Sequence, residues 1–227
     1  VAYQTAWLKA HYPAEFMSAN LTSEMANIDR IVILINECRK LKIEVDPPDV
    51  NVSDINFRPV NKKVISFGLN AIKNVGTKAL EQIKESRLKN KKFESIFDFT
   101  ANVSLKSVNR RVLESLNMSG AMDGLNGNRA QKNAVIETAL KYGQTIQDNK
   151  ARNQVDLFGG TNNSGEDMSM IPALPSIDEW SESQLLEKEK EVLGMYLSGH
   201  PLLKHAEELE EYSTFDFIDK KVGGNGD

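Results

Sequence analysis

The sequence predicts a mainly α-helical protein, on three observations: apolar residues recur at three- and four-residue spacing along most of its length, runs of alternating apolar and polar residues are few, and prolines and glycines fall between the periodic segments. At 227 residues the chain is long enough for one or two domains with a real core. Hydrophobic residues at 40% and charged residues at 26% are those of an ordinary globular chain and exclude a wholly disordered or collagen-like one. Aromatic residues make up only 7% and the net charge is −4, so the molecule as a whole is no basic nucleic-acid binder. The single cysteine, Cys38, can form neither an internal disulfide nor a CxxC metal pair, which fits a reducing cytoplasm. The longest apolar run, Ile31 to Ile35, is a quarter of the roughly 20 residues a membrane span needs, so no membrane association is expected. The start on Val1 and the end on Gly-Gly-Asn-Gly-Asp read as a piece of a longer protein.

Each element follows from local chemistry. Ala2 to Leu41 reads as helix: Pro13 suits a first turn, Phe16, Met17, Ala19 and Leu21 follow on its buried side, and Ile28, Ile31, Val32, Ile35 and Cys38 form one apolar stripe. Asp46-Pro47-Pro48-Asp49 ends the helical run as a stiff extended connector. Val64, Ile65 and Phe67 make a short strand or lead directly into a tight helical unit carrying Ile72, Val75, Leu80 and Ile83. A second unit runs from Phe93 through Leu116 to the turn Ser119-Gly120-Ala121, and a further helix follows Asn126-Gly127-Asn128. Residues 144–184 are polar and rich in Gly, Asn and Ser, predicting a flexible linker, and Leu185 to Glu211 reads as an acidic helix.

Charge is unevenly spread. Asn61 to Lys92 holds nine lysines or arginines against two glutamates, net +7, whereas Glu179 to Glu211 holds nine glutamates against three lysines, net −6. No catalytic constellation accompanies either stretch. Gly76-Thr77-Lys78 lacks the spacing and order of a phosphate loop, and no serine nucleophile elbow occurs. His200 and His205 fall on different helix faces, and the prolines between Asp46 and Asp49 splay those carboxylates, so neither catalytic nor metal-binding residues are expected.

The basic stretch carries a helix-hairpin-helix pattern. In Ile72-Lys73-Asn74-Val75-Gly76-Thr77-Lys78-Ala79-Leu80 a tight turn separates two apolar segments, so free amides at the start of the second helix, with Lys73 and Lys78, can hold a phosphate oxygen. The same logic applies to Leu113 through Ala121, where Ser119, Gly120 and Ala121 make the turn and Arg110, Arg111 and Arg129 supply charge. Gly76 and Gly120 could also simply end ordinary helices; the paired occurrence and the local +7 favour double-stranded DNA held without base readout. Within the linker, Gln154, Val155, Asp156, Leu157 and Phe158 form a polar-flanked Leu-Phe pair with no local core, suited to a partner's pocket; folding back onto the parent domain is the alternative.

Tyr3-Gln4-Thr5-Ala6-Trp7-Leu8-Lys9-Ala10-His11-Tyr12-Pro13-Ala14-Glu15-Phe16-Met17 resembles the fingers region of the bacterial C-family replicative polymerases. The likeness continues in order through Pro47-Pro48-Asp49-Val50-Asn51, Phe67 to Gly76, Asn109 to Glu114, Ser119 to Asp123 and Leu193 to Pro201. The resemblance implies an end of fingers at 1–60, a tandem helix-hairpin-helix domain at 61–143, a linker with a sliding-clamp motif at 144–184, and at 185–227 a helix leading into a truncated OB-fold from Phe215 to Val222. It further implies that Gln154, Leu157 and Phe158 engage the clamp, that other replisome subunits are partners, and that catalytic aspartates with magnesium belong to an upstream palm domain, leaving this piece inert and without a cofactor. A stand-alone helix-hairpin-helix module of repair or recombination is the rival reading.

Overall fold

The computed structural model describes residues 2–90, 92–151, 171–197 and 199. The order of elements follows the predicted helical periodicity with one small sheet inserted. Helix α1, Ala2–His11, buries none of its residues; Tyr3, Trp7 and Leu8 stand exposed along it, and Tyr12 just beyond its end. Pro13 opens α2, Pro13–Ser23, where its missing N–H costs nothing. Ala14, Met17, Ser18 and Leu21 face inward, toward Ile31, Ile35 and Cys38 of α3, Ile28–Lys40. Asn27 caps α3 by accepting a hydrogen bond from the Arg30 amide.

The stretch where strand and helix were both open is a strand. Sheet order is β1-β3-β2: β1, Glu44–Val45, runs parallel to β3, Val64–Ser66, and β2, Arg58–Asn61, runs antiparallel to it with an irregularity between Pro59 and Asn61. Its buried face contributes Ile65, next to Phe57 and Phe67, whose rings pack 4.8 Å apart. A 3-10 turn over Leu69–Ala71 then leads to α4, Thr77–Asn90.

The remaining helices enclose the rest of the core. Helix α5, Ile96–Asn102, lies against α8, Ile136–Ala151, so closely that a Cβ on Gly143 would sit 2.5 Å from the Thr100 carbonyl oxygen. That spacing lets the Thr100 hydroxyl donate to the Ala139 carbonyl at 2.8 Å. Phe93, Phe97 and Phe99 fill the space with Tyr142. Between them come α6, Arg110–Met118, and α7, Arg129–Ala134.

Two expected boundaries move. Helix α8 continues to Ala151, past the start of the expected linker, because Gln147 on it donates to the Thr100 and Val103 carbonyls at 2.8 Å each and caps the end of α5. Residues 171–181 form an extended strap against the domain rather than free linker, for reasons given below. Helix α9, Glu182–Leu193, ends where Gly194 takes φ 75°, short of the expected Glu211. The expected lead into an OB-fold at Phe215 to Val222 lies outside the described residues.

Candidate nucleic-acid interface

The first hairpin is open to solvent. Ile72 and Val75 are 2% and 5% exposed and anchor the turn, while Ala79 and Leu80 bury the inner face of α4. The amides of Ala79 and Leu80 both turn back to the Gly76 carbonyl, so those of Gly76, Thr77 and Lys78 precede the helix's own bonding and point outward at its positive end. Gly76, Thr77 and Lys78 are exposed, and a Cβ on Gly76 would meet nothing within 4 Å. Val75, grouped with the contact residues on sequence, is instead the buried plug beneath them.

The two residues before Val75 are tied inward. The Lys73 amide donates to the Val192 carbonyl at 2.9 Å and its ammonium to the Glu191 carbonyl at 2.9 Å, so Lys73 caps the C-terminal end of α9 instead of standing free. Asn74 takes φ 65°, and its Nδ2 donates to Ser115 Oγ on α6 at 3.1 Å.

The second hairpin is closed, which corrects the symmetric picture drawn from sequence. Gly120 has the expected left-handed φ of 82°, but Ser119, Gly120 and Ala121 are all buried, and the Ala121 carbonyl accepts the Val50 amide at 2.8 Å. A side chain at Gly120 would collide with the Arg129 guanidinium, 2.4 Å away. Arg129 itself is spent. Its Nε and Nη2 donate to the Asp123 carboxylate at 2.8 and 2.6 Å, its Nη1 donates to Glu189 at 3.0 Å, and its side chain is 11% exposed. Burial works against that charge, and the two carboxylates outweigh it, leaving the guanidinium pKa above its ordinary value.

The strap completes the closure. Glu179 accepts from the amides of Arg129 and Ala130 at 2.8 and 3.0 Å, so the start of α7, where Arg129 was expected to supply charge to DNA, is occupied by a carboxylate. Asn128 donates to the Ile177 carbonyl and Gln131 to the Pro175 carbonyl, each at 2.9 Å. Burial alone would raise the Glu179 pKa; the amides of Arg129, Trp180 and Ala130 pull it below the usual glutamate value. Lys132, 1% exposed, donates to the carbonyls of Met122 and Gly127, and burial lowers its pKa.

The two remaining arginines differ. Arg110 is exposed and pairs with Glu114 at 2.7 Å and with Glu137, solvent-screened surface pairs that a phosphate can displace. Arg111, also exposed, makes no ion pair among the described residues. Sequence reasoning missed Ser115, Asp123, Glu179 and Glu189, whose partners lie 6 to 60 residues away. Gln154 to Phe158, and the histidines at 200 and 205, lie outside the described residues. Among the described residues no helix is long and apolar enough to cross a membrane, and no cluster of three or more His, Cys, Asp or Glu could hold a metal.

The family model for the helix-hairpin-helix motif matches residues 42–132, which span both hairpins. DNA polymerase III subunit alpha of Pasteurella multocida is 44% identical over 214 residues, covering 94% of this chain and 18% of that protein. The subunits of Vibrio cholerae and Escherichia coli K12 are 39% and 41% identical over 94% and 93% of the chain. The chain thus spans about a fifth of the length of these relatives. Over nearly its whole length, this helical chain with its helix-hairpin-helix domain is homologous to one segment of the DNA polymerase III alpha subunits.

Proposed function

We propose that the chain grips duplex DNA by its phosphates through the first hairpin, as part of a DNA-directed DNA polymerase whose chemistry is carried by other segments. The observation that carries this reading is the outward row of amides at Gly76, Thr77 and Lys78, braced on buried Ile72 and Val75 within a stretch matching the helix-hairpin-helix family. Amide donors at the positive end of α4 and the Lys78 ammonium complement a phosphate, and Arg111, with Arg110 once released from its glutamates, adds cations beside them. Such contacts read no base edges, so they suit a polymerase that must hold any sequence it has just copied.

In this reading 1–60 closes the fingers, 61–143 is the DNA-holding domain, and the residues from 144 carry the tether. Gln154, Leu157 and Phe158 engage the sliding clamp. Tethering keeps the enzyme at high effective concentration near the primer end, so a weak contact suffices for long synthesis runs. Magnesium and the catalytic aspartates belong to the rest of the polymerase, which works in the cytoplasm with other replisome subunits.

Fluorescence anisotropy of a labelled duplex tests the DNA reading. With about three phosphates neutralised, raising salt from about 50 to about 200 mM should weaken binding about 40-fold, equally for unrelated sequences. Lys78→Glu should weaken binding at every sequence; affinity that ignores both salt and this change would refute the reading.

A further inference from the structure

The non-glycine left-handed residue in the first hairpin has a reason to be asparagine. Glycine takes that backbone most cheaply and asparagine next, so the side chain of Asn74, at φ 65°, is retained against a small conformational cost. Its amide is spent on Ser115 Oγ, 3.1 Å away on α6. Ser115 is 2% exposed while Asn74 itself is exposed, so the bond ties the surface of the turn to a buried point on α6. Immediately before it in the chain, the Lys73 amide is held by the Val192 carbonyl, which leaves the turn few ways to shift.

Arg111 stands four residues before Ser115 on α6, hence on the same helix face and about 6 Å along the axis. It is exposed and makes no ion pair among the described residues. We infer that Asn74 is a positioning residue: through Ser115 it locks the Gly76–Lys78 amides in register with Arg111, so that the two meet neighbouring phosphates of one duplex. This rests on the proposed DNA reading of the hairpin and replaces a direct role for Asn74 on the nucleic acid. The two helix-hairpin-helix units then act as one surface, the first supplying amides and the second an arginine.

A double-mutant cycle in the full-length polypeptide tests it. Asn74→Gly keeps the left-handed backbone and removes the side chain; Ser115→Ala removes the acceptor. Each should weaken duplex binding about fivefold, the double variant should be no weaker than either single one, and the slope of log affinity against log salt should fall by about 1 as Arg111 loses its phosphate. Thermal midpoints are followed alongside, because simple destabilisation lowers the folded fraction without touching the salt slope. Additive losses of about 25-fold, or an unchanged slope, would overturn the inference. Lys78→Glu separates the two levels: if it leaves binding intact, the DNA reading itself is wrong. If it weakens binding while Asn74→Gly is silent, only the positioning role falls.

Discussion

Gly76→Ala is the sharpest perturbation of the proposed grip, because the free protein has no reason to resist it. The backbone at Gly76 is outside the left-handed region, and the added methyl would meet no atom within 4 Å. Removing a glycine also reduces the freedom of the unfolded chain, so stability should stay level or rise by about 0.4 to 1 kcal/mol. A bound phosphate changes the arithmetic. For the amides of Gly76, Thr77 and Lys78 to reach an anionic oxygen at about 2.8 Å, the sugar-phosphate chain must pass against the α-carbon of Gly76. A methyl there pushes the phosphate away and forfeits one charged hydrogen bond, worth about 1.5 to 3 kcal/mol, or about 10- to 150-fold in affinity. Anisotropy titration of the variant with a labelled duplex, beside a thermal melt, reads both quantities. A variant that melts normally and binds DNA as tightly as the parent would show that no phosphate approaches this turn.

Four further outcomes are expected. Arg129→Met breaks the ion pairs to Asp123 and to the 2%-exposed Glu189 and should cost about 3 kcal/mol in chemical denaturation, while the salt slope of DNA binding of the folded protein stays unchanged. The lowered pKa of Glu179 means that strap docking is fully favoured above the ordinary glutamate pKa and lost as pH falls through the lower folded value; in a Trp7→Phe background, Trp180 fluorescence should report that release, and Glu179→Gln should flatten the profile. Burial first, and Glu37 second, push the Cys38 thiol up to about 11, so a thiol reagent at about pH 8 should label it only on unfolding. Ala in place of Leu157 and Phe158 together should abolish capture by the purified clamp ring while leaving duplex binding unchanged.

The fold was legible where local periodicity decides it. The stripe Ile31, Ile35, Cys38 and the proline at the start of α2 each signal their own burial or position through residues within one helical turn. The sheet was half legible, because β1 holds two residues and β3 three, too few for an alternation to show. The first hairpin was legible down to its glycine, since a turn between two helices is set by a handful of adjacent residues. The second was misjudged for a physical reason: whether Arg129 is free depends on Glu179 and Glu189, 50 and 60 residues further on, and no local pattern carries that information. The acidic stretch was correctly seen as distinct, but it reads the same whether it faces water or an arginine.

The electrostatics around the second hairpin explain why its turn does not duplicate the first. Around Arg129 and Lys132 stand Asp123, Glu179 and Glu189, a formal balance of −1. A phosphate entering there would meet that negative balance and would have to displace a carboxylate from Arg129, at the cost of breaking the ion pair of Glu189, 2% exposed. Among the described residues no carboxylate binds the start of α4: Gly76, Thr77 and Lys78 are exposed, Lys78 adds a positive charge, and Arg111 lies one helical turn from the Asn74 joint. The same motif has therefore been put to two uses by what packs on it. Among the described residues, one copy is sealed by the chain's own carboxylates and binds the strap and α9, and the amides of Gly76, Thr77 and Lys78 in the other make no hydrogen bond. In the proposed polymerase, this division makes the closed copy the rigid base against which the open copy, and the arginine beside it, can be held in register with a duplex.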